Sequence, residues 1–309
     1  MSDPTTDPFA SRPDAGLSGF ICPDGEMIEF GTCLAKCRMA ARCAPRPVLQ
    51  KIGVDWRRTS TEPSTTELIG PTRIAWLKRM YPYYESAASR KWSIFGSAVS
   101  VIMEGGGGDE GLTEETFRDA TNKGTLDYFD SETGTLWDYK LTGAYKVRQI
   151  VTVERPVPGE VFKSGPRKGM PKLERVEDMA GAGARVWTEA PEWGAQLADY
   201  SAKATRYGFT VKRACLFLIV RDADMFAEQM SLTKPWYEIE VPLPPVEETE
   251  RKMKERRALL ESALVRGNCP PICTPDERWN GKRCESYCPV RAWCDKHDGE
   301  ALRQISTTT

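Results

Sequence analysis

The interval C-x10-C-x3-C-x5-C occurs twice, at Cys22, Cys33, Cys37 and Cys43 and again at Cys273, Cys284, Cys288 and Cys294. Eight of the ten cysteines therefore fall into two matched quartets, one towards each end of the 309 residues. Four thiolates brought to one point suit tetrahedral zinc or a cubane iron–sulfur cluster. Such a centre contributes on the order of 10 kcal/mol to a small segment with little core of its own. Disulfides would need an oxidising compartment, and the leader MSDPTTDPFASRPD carries no basic stretch followed by an apolar one of the secretory type. Metal ligation is the expectation, either as two separate four-cysteine centres or as one mixed centre with the other thiols structural. Cys215, inside RACLFLIV, reads as a buried packing thiol. Cys269 is a spare that could replace Cys273.

Between the quartets lies a second pattern. GTLWDYKL, from Gly134 to Leu141, reads as a strand, and residues two apart on a strand share a face. Asp138 and Lys140 then project together, with Trp137 and Tyr139 on the other side, one face expected to be core and the other chemistry. TLDYFD is a second strand, and the intervening Ser131-Glu132-Thr133-Gly134 is turn-like, so a hairpin over 124–141 would bring Asp127 beside Asp138. Two hard carboxylate oxygens at one point suit magnesium or manganese. Lys140 adds fixed positive charge for an attacking water or a crowded phosphorane. An isolated D-x-K is more simply a surface ion pair; here it has company. Glu104 ends the apolar stretch FGSAVSVIME, and Gln196 and Tyr200 lie at i, i+4 spacing in EWGAQLADYSAKATRYG, on one helix face.

A helix opened by glycine and ended by Glu, then G-x-x-D, then D-x-K, then Q-x-x-x-Y is an order that resembles the PD-(D/E)xK nucleases. The resemblance is to their RecB-like branch, which includes the iron–sulfur nucleases of CRISPR adaptation and the AddB-type recombination nucleases. It covers roughly Phe95 to Asp222. It implies a restriction-endonuclease-like α/β fold with a central mixed sheet flanked by helices. It also implies that Asp127, Asp138 and the backbone carbonyl of Tyr139 hold Mg2+ or Mn2+, that Glu104 binds a metal or its waters, and that Lys140 positions the nucleophilic water. Gln196 and Tyr200 would steady the lysine and the DNA backbone. Many members carry a metal-binding histidine four residues after the helix-opening glycine; here Gly96 is followed by Ser100, and the only histidine is His297. In the iron–sulfur members one N-terminal cysteine joins three C-terminal ones, usually spaced C-x2-C-x5-C. The resemblance thus favours a 4Fe–4S cluster slightly over zinc.

Composition sets the limits. With 40% hydrophobic and 28% charged residues the chain can bury one substantial core plus appendages. No run of about 18 apolar residues occurs, so no membrane span is expected. A net charge of −1 says little about nucleic acid, because local patches decide contact. One patch, ERPVPGEVFKSGPRKGMPKLER, sets Lys163, Arg167, Lys168, Lys172 and Arg175 against Glu160 and Glu174. It reads equally as a solvated loop or as a clamp on DNA phosphates.

The expected organisation is a leader with an N-terminal cysteine module (1–50), a helical segment (51–93), the nuclease core (94–246), and a C-terminal helix with cysteine module and tail (247–309). A helix is expected over Pro71–Trp92, interrupted near Pro82, and another over Phe95–Glu104, closed by the glycine run 105–108. YKVRQIVTV, Phe209–Val220 and WYEIEV read as strands, and EETERKMKERRALLESALVRG as a charged helix stopped by Gly267. The functional expectation is a metal-dependent DNA nuclease, favoured as an exonuclease. It would act on single strands or duplex ends in the cytoplasm, phage-encoded in a bacterial host and serving DNA recombination. The alternative is a DNA-end-binding or scaffolding protein that keeps the fold without turnover. No G-x-x-x-x-G-K-S/T loop occurs, so a helicase or recombinase would be a separate partner.

Overall fold

The computed structural model describes residues 15–39, 41–53, 61–105 and 111–307. The leader through residue 14 and most of the glycine run lie outside the described residues. The fold is mixed α/β, with several sheets and flanking helices. The chain divides into two compact units: Met1–Ala98 with Arg118–Lys123 and Arg251–Thr309, and Val99–Phe117 with Gly124–Glu250.

In the first unit, β1 (Gly16–Ile21) pairs antiparallel with β2 (Met27–Glu29) and parallel with β3 (Pro82–Ser86). Between β2 and β3 the chain forms α1 (Phe30–Ala35), α2 (Arg46–Gly53), α3 (Thr65–Ile69) and α4 (Thr72–Met80). The helix expected from Pro71 to Trp92 thus stops at Met80, and Pro82 opens a strand instead of kinking a helix. Proline has no N–H to give the preceding turn and pushes its predecessor into extended backbone; Tyr81 takes φ −138°, ψ 150°. Tyr83 and Tyr84 then fall into register with Leu17 and Gly19. Trp76, Leu77 and Met80 of α4 pack with Leu17, Met253, Leu260 and Val290 in one core.

The apolar helix α5 (Lys91–Glu104) starts before the expected Phe95 and buries none of its side chains. Then follow β4 (Gly111–Thr113), β5 (Thr116–Arg118), β6 (Lys123–Thr125), β7 (Tyr128–Asp130) and β8 (Thr135–Thr142). The expected strand over YKVRQIVTV is corrected: α6 (Ala144–Val151) precedes β9 (Thr152–Val161). Tyr145, Val147 and Val151 fit an alternating pattern, but Ala144, Val147, Ile150 and Val151 fit a helical one, and those four are buried. The Asp222 carboxylate decides between them by accepting the Ala144 N–H at 2.7 Å, which caps the first turn from a distant residue.

After β10 (Pro171–Glu177) come α7 (Met179–Glu189), α8 (Pro191–Arg206), β11 (Arg213–Val220), α9 (Ala223–Met230) and β12 (Trp236–Glu240). The main sheet has the order β12-β11-β8-β7-β4, antiparallel except for the β8–β11 pair. That parallel pair requires a long crossover, and α6 to α8 supply it. Leu136, Leu216 and Leu218 of the sheet pack with Val147 and Ile150 of α6, Val186 of α7 and Leu197 of α8. The chain ends through α10 (Val246–Arg266), α11 (Lys282–Ser286) and α12 (Arg291–Thr307). Among the described residues no helix is long and apolar enough to cross a membrane.

Candidate active site

The hairpin that carries the site is fixed by its turn. Asp130 accepts the N–H groups of Glu132 and Thr133 through Oδ1 at 2.9 and 3.2 Å, and Gly134 closes the loop at φ 70°. A Cβ on Gly134 would stand 2.8 Å from the Thr210 carbonyl oxygen, so both its conformation and its space call for glycine. The register that follows sets Tyr128 opposite Trp137. Asp127, one residue before β7, then lies next to Asp138, and its Oδ2 accepts the Tyr139 N–H at 2.6 Å. The N–H and C=O of one extended residue point to the same side, so the Tyr139 carbonyl also faces the Asp127 side of β8.

Asp138 is 0% exposed, and among the described residues neither of its oxygens accepts a hydrogen bond of regular geometry. Lys140 Nζ stands 2.6 Å from Oδ2, an ion pair whose angles are not those of a hydrogen bond. The ammonium instead donates to Gln196 Oε1 at 3.0 Å, and Gln196 Nε2 donates to Tyr200 Oη at 2.7 Å. The four residues form a continuous chain from β8 to α8.

Burial raises the Asp138 carboxyl above its ordinary range, with Lys140 opposing. Burial first, and then the neighbouring Asp138, push Asp127 to about 7 against the pull of Lys140 and the Tyr139 N–H. Burial and the nearby Asp138 also hold the Tyr200 phenol above its usual value. A buried carboxylate beside a second one, with one ammonium against them, is a donor set that a hard divalent cation satisfies.

One expectation about the strand is reversed. Asp138 lies on the same face as Leu136 and in register with Leu216, so the chemistry sits on the core-facing side. Trp137 and Tyr139 cover the other face by packing on Phe217.

Glu104, at the end of α5, acts electrostatically on Glu114, a residue that sequence reasoning passed over. Glu114 in turn acts on Asp127. The hydroxyl of Ser100 hydrogen-bonds the Glu114 carboxylate. A lone Glu in the run TEET carries no motif; only the pairing of β4 with β7 exposes its position.

No family model, curated protein or solved structure matches this chain.

The basic stretch is a two-stranded ribbon, β9 with β10, rather than an irregular loop. Among the described residues its two strands pair only with each other, so Pro156 and Pro171 meet no further strand there that needs an N–H. Lys163, Arg167, Lys168 and Lys172 are exposed at its tip. Lys172 is paired with Glu160 at 2.9 Å, and Arg167 lies over the Phe162 ring at 4.2 Å.

All eight quartet cysteines belong to the first unit. Cys33 senses Cys37, Cys43 and Cys22, and burial raises its thiol. Cys273 senses Cys294, Cys288 and Cys284, and burial raises it to about 11. Each quartet is therefore gathered with its own members. Cys269 is a neighbour of Arg73 and Cys294. The buried Arg73 donates to Cys294 Sγ at 3.0 Å and to Asp298 Oδ1 at 2.6 Å. Cys215 is fully buried on β11. His297 contacts Tyr81 Oη at 2.9 Å within a cluster containing Trp76 and Trp293, in the first unit and remote in sequence from the carboxylates. Among the described residues, no three His, Cys, Asp or Glu side chains stand already arranged about one ion.

Proposed function

We propose that this chain is a metal-dependent DNA nuclease with a restriction-endonuclease-like core of the PD-(D/E)xK, RecB-like type. It hydrolyses phosphodiester bonds by attack of water in line with the leaving oxygen. The observation that carries the reading is Asp138: a fully buried carboxylate paired with a lysine that Gln196 and Tyr200 hold in place.

Asp127, Asp138 and the Tyr139 carbonyl are the groups that would hold Mg2+ or Mn2+. Bound there, the cation would lower the pKa of a coordinated water and neutralise phosphate charge. Lys140 keeps a positive charge fixed next to Asp138, where negative charge develops on the phosphate oxygens. Gln196 removes the rotational freedom of that ammonium, and Tyr200 fixes the amide in turn. The exposed basic tip of the β9–β10 ribbon suits contact with phosphates, which would be salt-dependent and sequence-blind. Each cysteine quartet suits a structural metal centre, either a 4Fe–4S cluster or zinc.

The test is cleavage of labelled single- and double-stranded DNA with Mn2+, wild type beside Lys140→Ala. The variant is expected to lose at least about 10²-fold in rate, the scale of a removed electrostatic donor. Equal cleavage by both discards this site. Absent cleavage with retained DNA binding selects a DNA-end-binding or scaffolding role.

A further inference from the structure

Glu114 has a backbone that few residues with a β-carbon adopt, at φ 52°. Such strain persists where the surrounding structure over-determines it, often at functional sites. What fixes it here is a ladder running on past the ends of β4 and β7. Thr113 is opposite Tyr128. The Glu114 N–H then donates to the Asp127 carbonyl at 3.1 Å, and the Leu126 N–H to the Glu115 carbonyl at 3.0 Å. The Thr116 and Thr125 hydroxyls meet at 2.8 Å.

Counting along this register, Glu114 lies directly across from Asp127. The same count on the other side, from Tyr128 opposite Trp137, puts Asp127 across from Asp138. Residues 114, 127 and 138 thus form one row over three adjacent segments. The hydroxyl of Ser100, from α5, hydrogen-bonds the Glu114 carboxylate, and Glu104 acts on it electrostatically. Asp127 and Asp138 share the ammonium of Lys140, Glu114 acts on Asp127 and Glu104 on Glu114, and Asp138 is fully buried.

We infer that Glu114 is a third acidic ligand of the divalent cation bound by Asp127 and Asp138, and that Ser100 positions it. This rests on the proposed metal site and adds a ligand to it. Glutamate has three side-chain torsions, and the assignment requires a change of rotamer to bring its oxygens in. Hard cations collect several carboxylate oxygens in this way.

The experiment titrates Mn2+ into the full-length protein, following free Mn2+ by electron paramagnetic resonance, for wild type, Asp138→Asn and Glu114→Gln. Groups that merely support ligands cost 10–100-fold when lost, so Glu114→Gln is expected to weaken Mn2+ by roughly tenfold or more, with an unchanged metal-free melting temperature. If Asp138→Asn loses Mn2+ while Glu114→Gln binds like wild type, the inference about Glu114 is overturned and the metal site stands. If wild type binds no Mn2+, or Asp138→Asn binds it equally, the metal site itself fails and Glu114 falls with it. Should Glu114→Gln melt early, Glu114→Asp keeps the charge but withdraws it by one methylene. Weaker binding by that variant supports the assignment, and wild-type affinity overturns it.

Discussion

Without a cation, Asp127 and Asp138 compete for one ammonium in a place that water barely reaches, and both are pushed towards the protonated form. For Asp127 the sign of the consequence is definite. A carboxyl whose folded pKa is raised adds stability below its unfolded value, near 4, and loses it as pH climbs through the folded value of about 7. In chelator the melting temperature is therefore expected to fall between pH 5 and 8 by more in wild type than in Asp127→Asn, and Mg2+ to restore more at pH 8 than at pH 5. Thermal melts at the two pH values, with and without Mg2+, check this; identical slopes for the two proteins would contradict it.

A second expectation concerns Gln196. Gln196→Ala frees the lysine without removing its charge, so activity should drop by less than in Lys140→Ala, on the order of 10-fold. DNA titrations read alongside the rates separate loss of positioning from loss of binding. Asp138, Lys140, Gln196 and Tyr200 were legible in the sequence because their spacing is local: two residues on a strand, four on a helix. Glu114 was not, since its adjacency to Asp127 arises from a register between segments and from a left-handed backbone that glutamate does not advertise.

Among the elements, the turn at Ser131–Gly134 does most to define the site, because it sets which residues of β7 and β8 meet. Gly134→Ala forces a β-carbon against the Thr210 carbonyl and into a disfavoured φ. Its cost should be about 1 kcal/mol or more, read as a lower urea midpoint. Activity per folded molecule should fall too if the register shifts, and a wild-type midpoint would remove the turn from the account. This hairpin, β12 and α10 were readable from alternation and breakers, and β11 from its apolar run, although it opens at Arg213 rather than Phe209. By contrast α6 was not, because its sequence satisfies both periods and a carboxylate beyond β11 makes the choice. The helix misjudged past Pro82 failed for a related reason. Tyr83 and Tyr84 are fixed by pairing with β1, some 65 residues earlier, and no local window contains that partner.

At the scale of the molecule, the two cysteine quartets share the first unit with neither carboxylate of the hairpin. If each quartet holds a metal centre, as proposed, its removal should therefore unfold that unit selectively, with a loss on the order of 10 kcal/mol per centre. Limited proteolysis after chelation or oxidation is expected to cut within residues 15–98 and 251–307 and to spare 124–250. Uniform digestion would argue against separate centres. Metal analysis and absorbance near about 400 nm distinguish iron–sulfur from zinc. The repeated spacing revealed the two quartets. It could not reveal that Arg73, between them in sequence, donates to Cys294, since that contact exists only once α4 and α12 are packed.

The first unit is assembled from three separated stretches, the last beginning at Arg251, whereas the sheet-bearing unit is finished by Glu250. On the ribosome the sheet can close while the first 98 residues still await α10 to α12. Until α10 to α12 have been made, the early thiols and the apolar side of α4 must remain shielded from one another's wrong partners, which makes the order of synthesis itself a hazard that this arrangement has to survive.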